Sequence, residues 1–259
     1  MLFLFRDNYK SIAELSAKEL RLGGLRIDPK TNIGSRVTYY NNVKIRNLKN
    51  QKSEITQVKG LPKNPKLSNI SWSPDQKIIA LTNTTETGVE LWVLELENGS
   101  VTKLTEPNLN SNIGSVINWF SDSENMLVKM ISNNRRPLID TNKIVPDGPT
   151  ISTNFGEKAQ NRTYQDLLKN KFDEHNFEQL STSTIYKVSI DGSVKKWMDD
   201  GMYRTISFSP NGEYVMISQI KKPFSYLVTY SRFPTETNIY TKDGDFVSNL
   251  LNVPLIEEL

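Results

Sequence analysis

Few residues in this chain have side chains that could carry out covalent chemistry. There is one histidine, His175, and no cysteine among 259 residues. His175 stands among Asp173, Glu174 and Glu178, of which only Glu178, three residues on, would share its face of a helix. Such a cluster could shuttle a proton, but a Ser–His–carboxylate relay also needs a strained, exposed serine. No Gly-x-Ser-x-Gly elbow occurs anywhere in the sequence. His175 therefore reads as a surface helix residue, and no catalytic residue is assigned. Asp75, Asp122 and Asn211 invite a calcium reading, yet none sits in the dense oxygen-ligand spacing of a calcium loop. Local side-chain-to-backbone bonding in turns is the expectation for all three. No thiolate site, phosphate loop, dinucleotide fingerprint or metal-ligand cluster appears, so no metal and no cofactor is expected.

The elements that would position any site follow a half-hidden repeat. Ile70-Ser71-Trp72-Ser73-Pro74-Asp75 leads into Ile78-Ile79-Ala80-Leu81, and Ile117-Asn118-Trp119-Phe120-Ser121-Asp122 leads into Met126-Leu127-Val128. Ile206-Ser207-Phe208-Ser209-Pro210-Asn211-Gly212 leads into Tyr214-Val215-Met216-Ile217. Trp72 to Trp119 is a step of 47 residues and Trp119 to Phe208 one of 89, close to two such steps. A period of that size in a strand-rich chain predicts propeller blades. The fold class is all-β: a partial β-propeller of about four four-stranded blades. The blade-like units span about residues 25–60, 67–106, 113–200 and 203–254, the first of them irregular.

The third unit is interrupted over about residues 133–181. The stretch Pro137 to Gly156 is rich in Pro, Gly, Asn and Asp and reads as an extended excursion. Thr163 to Leu180 reads as a helix, with Thr163 and Asp166 as its cap and Tyr164, Leu167, Leu168, Phe172, Phe177 and Leu180 on one side. A short N-terminal helix is predicted within residues 9–22, capped by Ser11 with Glu14 and stopped by Gly23-Gly24. The aromatic series Trp72, Trp92, Trp119, Phe208, Tyr214 and Phe224 is expected to fill the space between blades.

The balance of 32 basic and 29 acidic residues, mixed along the chain, gives a net charge of +3. The basic stretch Lys44, Arg46, Lys49 and Lys52 has no aromatic platform beside it and reads as a solvated face, so no nucleic-acid partner is expected. No run approaches the roughly 20 apolar residues needed to span a bilayer, and no membrane partner is expected. The compartment is unknown from sequence.

Several segments are more specific than the recurring blade turns. They are Phe3-Leu4-Phe5-Arg6, Ser11-Ile12-Ala13-Glu14-Leu15, and Glu19-Leu20-Arg21-Leu22-Gly23-Gly24-Leu25-Arg26-Ile27. Within the insertion they are Pro146-Asp147-Gly148-Pro149, Asn161-Arg162-Thr163-Tyr164-Gln165-Asp166-Leu167-Leu168-Lys169 and Phe172-Asp173-Glu174. Pro223-Phe224-Ser225-Tyr226-Leu227-Val228 and Tyr230-Ser231-Arg232-Phe233-Pro234 complete the set. Together these segments resemble, over nearly the whole chain, the propeller of glutamyl endopeptidases, a branch of the prolyl oligopeptidase family of serine peptidases.

That resemblance implies a two-domain serine peptidase whose propeller caps an α/β-hydrolase domain and which cleaves peptides after Glu and sometimes Asp. The hydrolase domain is absent from this sequence, and Met1 reads as an internal methionine of a longer protein. The chain is then expected to gate substrate and not to catalyse by itself. If the substrate side chain is a carboxylate, arginine's planar fork suits it. Arg162 and Arg232 lie in the most specific segments and are the expected substrate contacts, with Arg135 and Arg136 weaker candidates. Ion pairing to Asp166 or Glu236 is the structural alternative for these arginines. Expected partners are peptide substrates and the missing hydrolase domain, with self-association through open blade edges as a further expectation. The competing reading is a stand-alone peptide- or protein-binding propeller without enzymatic activity.

Overall fold

A computed structural model describes residues 1–48, 53–140 and 164–257. Its regular part is three four-stranded antiparallel arrays. The second blade is β7 (Leu67–Trp72), β8 (Ile78–Thr84), β9 (Val89–Glu95) and β10 (Ser100–Lys103), paired in chain order. The third blade is β11 (Ile117–Trp119), β12 (Asn125–Ile131), β13 (Ser183–Ser189) and the first half of β14 (Val194–Phe208). The second half of β14 opens the fourth blade, followed by β15 (Tyr214–Ile220), β16 (Thr235–Thr241) and β17 (Phe246–Val253). One strand thus serves as the outer edge of one blade and the inner strand of the next. It turns at Gly201, where a Cβ would stand 2.9 Å from the Tyr203 ring.

The three sequence turns are built alike. Ser73, Phe120 and Ser209 each accept from the third residue beyond (Gln76, Ser123 and Gly212), and that residue has positive φ in every case. Asp75, Asp122 and Asn211 each accept from the backbone N–H two residues on, at 3.1, 2.9 and 3.2 Å. These are Asx turns, and no cluster of metal-ligating side chains occurs among the described residues.

Alternation along the strands places apolar residues on both faces of a blade, and neighbouring blades bury them. Ala80, Leu91 and Val93 of the second blade meet Trp119, Met126 and Val128 of the third. Phe120, Leu127 and Ile185 of the third meet Tyr203, Val215 and Ile217 of the fourth. Each such Val, Leu, Ile, Phe or Met side chain contributes about 1.5–3 kcal/mol on burial. The aromatic series divides. Trp119 is buried and Phe208 meets Phe120 with tilted rings, 4.7 Å between centroids, but Trp72 and Tyr214 remain 42% and 46% exposed. Trp72 shares a face with Ile79, on the side of the irregular first unit, which stops short of it. Tyr214 pairs with Thr241 on the last blade, so no later described blade follows to cover it.

The first unit is built differently from the other three. β2 (Leu20–Leu22), β3 (Leu25–Asp28) and β4 (Ile33–Gly34) form one small sheet. β5 (Asn42–Ile45) pairs instead with β1 (Leu2–Phe5) on one side and β6 (Thr56–Gln57) on the other. The predicted N-terminal helix shortens to α1 (Ile12–Leu15), with the Ser11–Glu14 capping box in place. Its Ile12 and Leu15 are exposed, so no packing extends it. Leu20–Leu22 turn back as a hairpin because Gly23 and Gly24, at φ 59° and 89°, supply the two left-handed positions of a tight turn.

Candidate functional site: a cap on one rim of the blades

Strand direction sorts the loops onto two rims. The turns at 73–76, 121–124 and 209–213 lie together on one rim: Asp75 N–H donates to Ser123 Oγ at 3.0 Å, and Gly212 abuts Ser121. On the opposite rim lie the insertion after β12 and the long connection from β15 to β16, residues 221–234. Both carry the segments of most specific resemblance.

These segments pack into one cap together with the β2–β3 hairpin. The insertion helix is α2 (Lys171–Ser181), shorter than the expected Thr163–Leu180. Asn170 caps it by accepting from the Asp173 N–H at 2.9 Å. Asp166 is not a cap residue. It holds positive φ, its backbone carbonyl accepts from Gly24 N–H, and its carboxylate takes Arg26 at 2.6 Å and Arg21 at 3.7 Å. Phe177 of α2 meets Phe224 and Phe233 of the fourth-blade connection edge-on, at 5.1 and 5.5 Å. Leu22, Ile27, Leu168 and Leu180 belong to the same buried cluster, with Ile113, Ile220 and Val228. Gly24 leaves no room for a side chain, since a Cβ would lie 2.7 Å from Thr229 Cγ2.

Polar clamps fix the outer layer. Residues 135–140 run along α2: Arg136 N–H donates to Gln179, His175 Nε2 meets the Pro137 carbonyl at 3.0 Å, and Asn176 bonds both N–H and C=O of Ile139 at 2.8 Å. His175 is thus a positioning group in the cap. Tyr226 donates to Glu174 at 2.6 Å; burial first, and then this bond, raises the phenol's pKa. Lys222 pairs with Glu178 at 2.8 Å.

The arginines predicted from sequence fall in different places. Arg162 lies outside the described residues. Arg232 sits over the Tyr164 ring, its guanidinium carbon 5.8 Å from the ring centre. The two acids named as structural alternatives are engaged elsewhere, Asp166 with Arg26 and Glu236 with Lys221 at 2.8 Å. Arg135 and Arg136 come together at a cleft of about 220 Å³, also lined by Ser132, Asn134, Gln179 and Asp200. Arg135 donates to Asn32 Oδ1 at 2.7 Å, and burial holds its pKa below the ordinary arginine value. Burial would raise the Asp200 pKa, but hydrogen bonds from Ser132, Thr184 and Asn134 outweigh it and leave the pKa lowered.

Sequence reasoning missed Arg26, Asp166, Asn176 and Asp200 as organisers of this rim. Arg26 stood within a segment already singled out by resemblance. Its partner lies 140 residues away, and no local pattern marks that pairing. Asn170 carried a readable signal, a cap residue three positions before Asp173.

A second hollow on this rim, about 1350 Å³, lies between α1 and the second blade. Glu14 bridges it to Lys66 at 3.1 Å. The Ser11 backbone bond, followed by the Lys66 contact, takes the Glu14 carboxyl down to about 2. Glu90, buried beside it, accepts from Asn83 and Trp92 at 3.1 and 2.9 Å.

Comparison with known proteins finds no matching family model. The chain is similar over its full length to the probable chloroplastic glutamyl endopeptidases of Oryza sativa subsp. japonica and Arabidopsis thaliana, 31% identical to each. It spans only 29% and 28% of their lengths. Among solved structures, Pyrococcus horikoshii acylaminoacyl peptidase matches 93% of this chain and 32% of its own, at 17% identity and a TM-score of 0.46. Porphyromonas gingivalis dipeptidyl peptidase 4 matches 88% of this chain and 32% of its own, at 9% identity and the same TM-score. The blade assignment stands on the sheet order alone. With the full-length similarity to those two relatives, that order is the one expected of a β-propeller portion of a glutamyl endopeptidase-like protein.

Proposed function

We propose that this chain is the substrate-gating part of a serine endopeptidase that cleaves peptides after Glu. The full-length similarity to glutamyl endopeptidases carries this reading. The cap gives it a physical form: a helix-bearing lid of polar clamps and one phenylalanine cluster on a single rim. A lid of that build limits which peptides reach a nucleophile supplied by another domain, and the nucleophile elbow is absent from this sequence. In the complete protein, Arg162 and Arg232 are proposed to contact the acidic side chain of the substrate.

The test is cleavage of chromogenic peptides ending in Glu, Gln or Asp by the complete protein, alongside a folded protein substrate. Cleavage after Glu that is confined to short peptides, with the size limit relaxed when residues 135–181 are replaced by a short turn, supports gating. Arg162→Gln or Arg232→Gln should raise KM for Glu peptides. Peptide binding without cleavage would favour the binding-propeller reading, and an unchanged size limit would remove the gating role.

A further inference from the structure

The cleft at Arg135 and Arg136 carries an imbalance that the gating reading does not use. Two acids border it, and both are committed. Glu178 pairs with Lys222, and Asp200 accepts from the hydroxyls of Ser132 and Thr184 and from the Asn134 amide. The two arginines are not so committed. Among the described residues neither forms an ion pair, and the one side-chain hydrogen bond recorded for them runs from Arg135 to Asn32. Asn32 is 1% exposed and locked at φ 60°, so it fixes one edge of the guanidinium and leaves the other edge unspent. Arg136 is held at its backbone by Gln179, with its side chain exposed at the mouth of the cleft.

A half-buried guanidinium aimed by a rigid acceptor, beside a second arginine, with Glu178 offset by Lys222 and the Asp200 carboxylate directed to three neutral donors, has the build of an anion receptor. We propose that this cleft binds a carboxylate carried by a peptide, with Arg135 as the bidentate partner, Arg136 as the mouth charge and Asn32 as the positioning residue. The volume of about 220 Å³ admits a side chain or a chain terminus and excludes a folded surface. This assigns to the cap a contact separate from Arg162 and Arg232. It rests on the reading that the cap meets peptides, but not on any cleavage.

The experiment is an NMR titration of the isotopically labelled chain with N-acetylated, C-amidated Ala-Glu-Ala and Ala-Gln-Ala. A third probe, N-acetylated Ala-Ala-Ala with a free terminal carboxylate, separates side-chain from terminal recognition. Shifts at residues 132–136 and Gln179, with the Glu peptide at least fivefold tighter than the Gln peptide, are expected. Arg135→Gln should lower Glu-peptide affinity to the Gln-peptide level, and Arg135→Lys should recover only part of it, since an ammonium lacks the fork. Arg136→Gln, at an exposed position, gives a severalfold loss without threatening the fold, and Lys195→Gln on an outer strand should change nothing. Equal binding of Glu and Gln peptides, binding of neither, or a preference that survives both arginine substitutions overturns the proposal. A complete protein that cleaves nothing would sink the gating reading while leaving this titration interpretable.

Discussion

The blades and the cap are held together by different means. In the blades, partners lie close in sequence except where the insertion separates β12 from β13: Ile78–Thr84 pairs residue by residue with Val89–Glu95, and one apolar layer follows another. In the cap, the contacts that matter join residues far apart in sequence. Arg26 reaches Asp166, Phe177 reaches Phe233, and Asn176 reaches Ile139. The blades are stabilised by area, which tolerates variation in individual side chains. The cap joins distant segments through a few specific polar contacts around one buried apolar cluster.

Paired truncations test that division most severely. Phe177→Ala removes a fully buried ring from the centre of the cap and should cost about 3–5 kcal/mol there, while Leu91→Ala in the second blade should cost about 2–5 kcal/mol. The expected difference is in where the loss appears. In hydrogen exchange, Phe177→Ala should release amides of α2 and residues 221–234 while β8 and β9 keep their protection. Leu91→Ala should lower protection throughout. Uniform loss in both variants would show that cap and blades form one cooperative unit.

The same division decides what could be read from sequence. The Ser-Pro-Asp type turns announced the blades because an Asx turn followed by a left-handed residue is a local device, repeated at Gln76, Ser123 and Gly212. The extent of the helices was misread where tertiary contacts overrule local pattern. Leu20–Leu22 has a helical spacing but pairs across Gly23-Gly24, and Asp166 has the spacing of a cap but serves Arg26. Resemblance located the cap segments, but it could not show that Arg135 and Arg136 share a cleft while Arg232 does not.

A charged exception inside the blades gives the next test. Lys129 on β12 is 2% exposed, directed toward the fourth blade, with the Ile113 carbonyl as its hydrogen-bond acceptor. Burial brings its ammonium from 10.5 down to about 7. Between those values the unfolded chain holds a proton that the folded chain has released. Stability therefore rises as pH climbs through the window, and it is flat with respect to this group below pH 7. One proton's difference amounts to about 3 kcal/mol between pH 7 and pH 9.5. Urea midpoints should climb over that range, and Lys129→Met should abolish the climb and raise stability at pH 6. A midpoint insensitive to pH in the unsubstituted chain would mean the amine reaches water.

Within the cap, Asn176→Ala removes two hydrogen bonds to Ile139 and should cost about 2 kcal/mol, felt locally. Residues 136–139 should become accessible to protease while α2 stays helical. Protection retained at that segment would assign its position to Gln179 and His175 instead.

The smallest effect on stability concerns the two outer edges, and there the comparison turns on assembly. The outer strand of the second blade, β10, is covered: Lys59 bridges to Ser100 in parallel, and Val101 N–H donates to the Lys59 carbonyl. The outer strand of the fourth blade, β17, pairs only with β16 among the described residues, and Phe246, Val247, Leu250 and Leu251 are 47–61% exposed. An unpaired strand edge with apolar side chains is a template for another strand, whereas a covered one is not. This chain should therefore self-associate with rising concentration, and Leu250→Lys together with Val247→Lys should suppress that association with folding stability changed by no more than about 0.5 kcal/mol. Thr102→Lys on β10 should leave association untouched. Sedimentation velocity separates the outcomes: association that survives at β17 but responds at β10 would reverse the assignment of the two edges. A chain that stays monomeric at every concentration would show that charge and twist already protect β17.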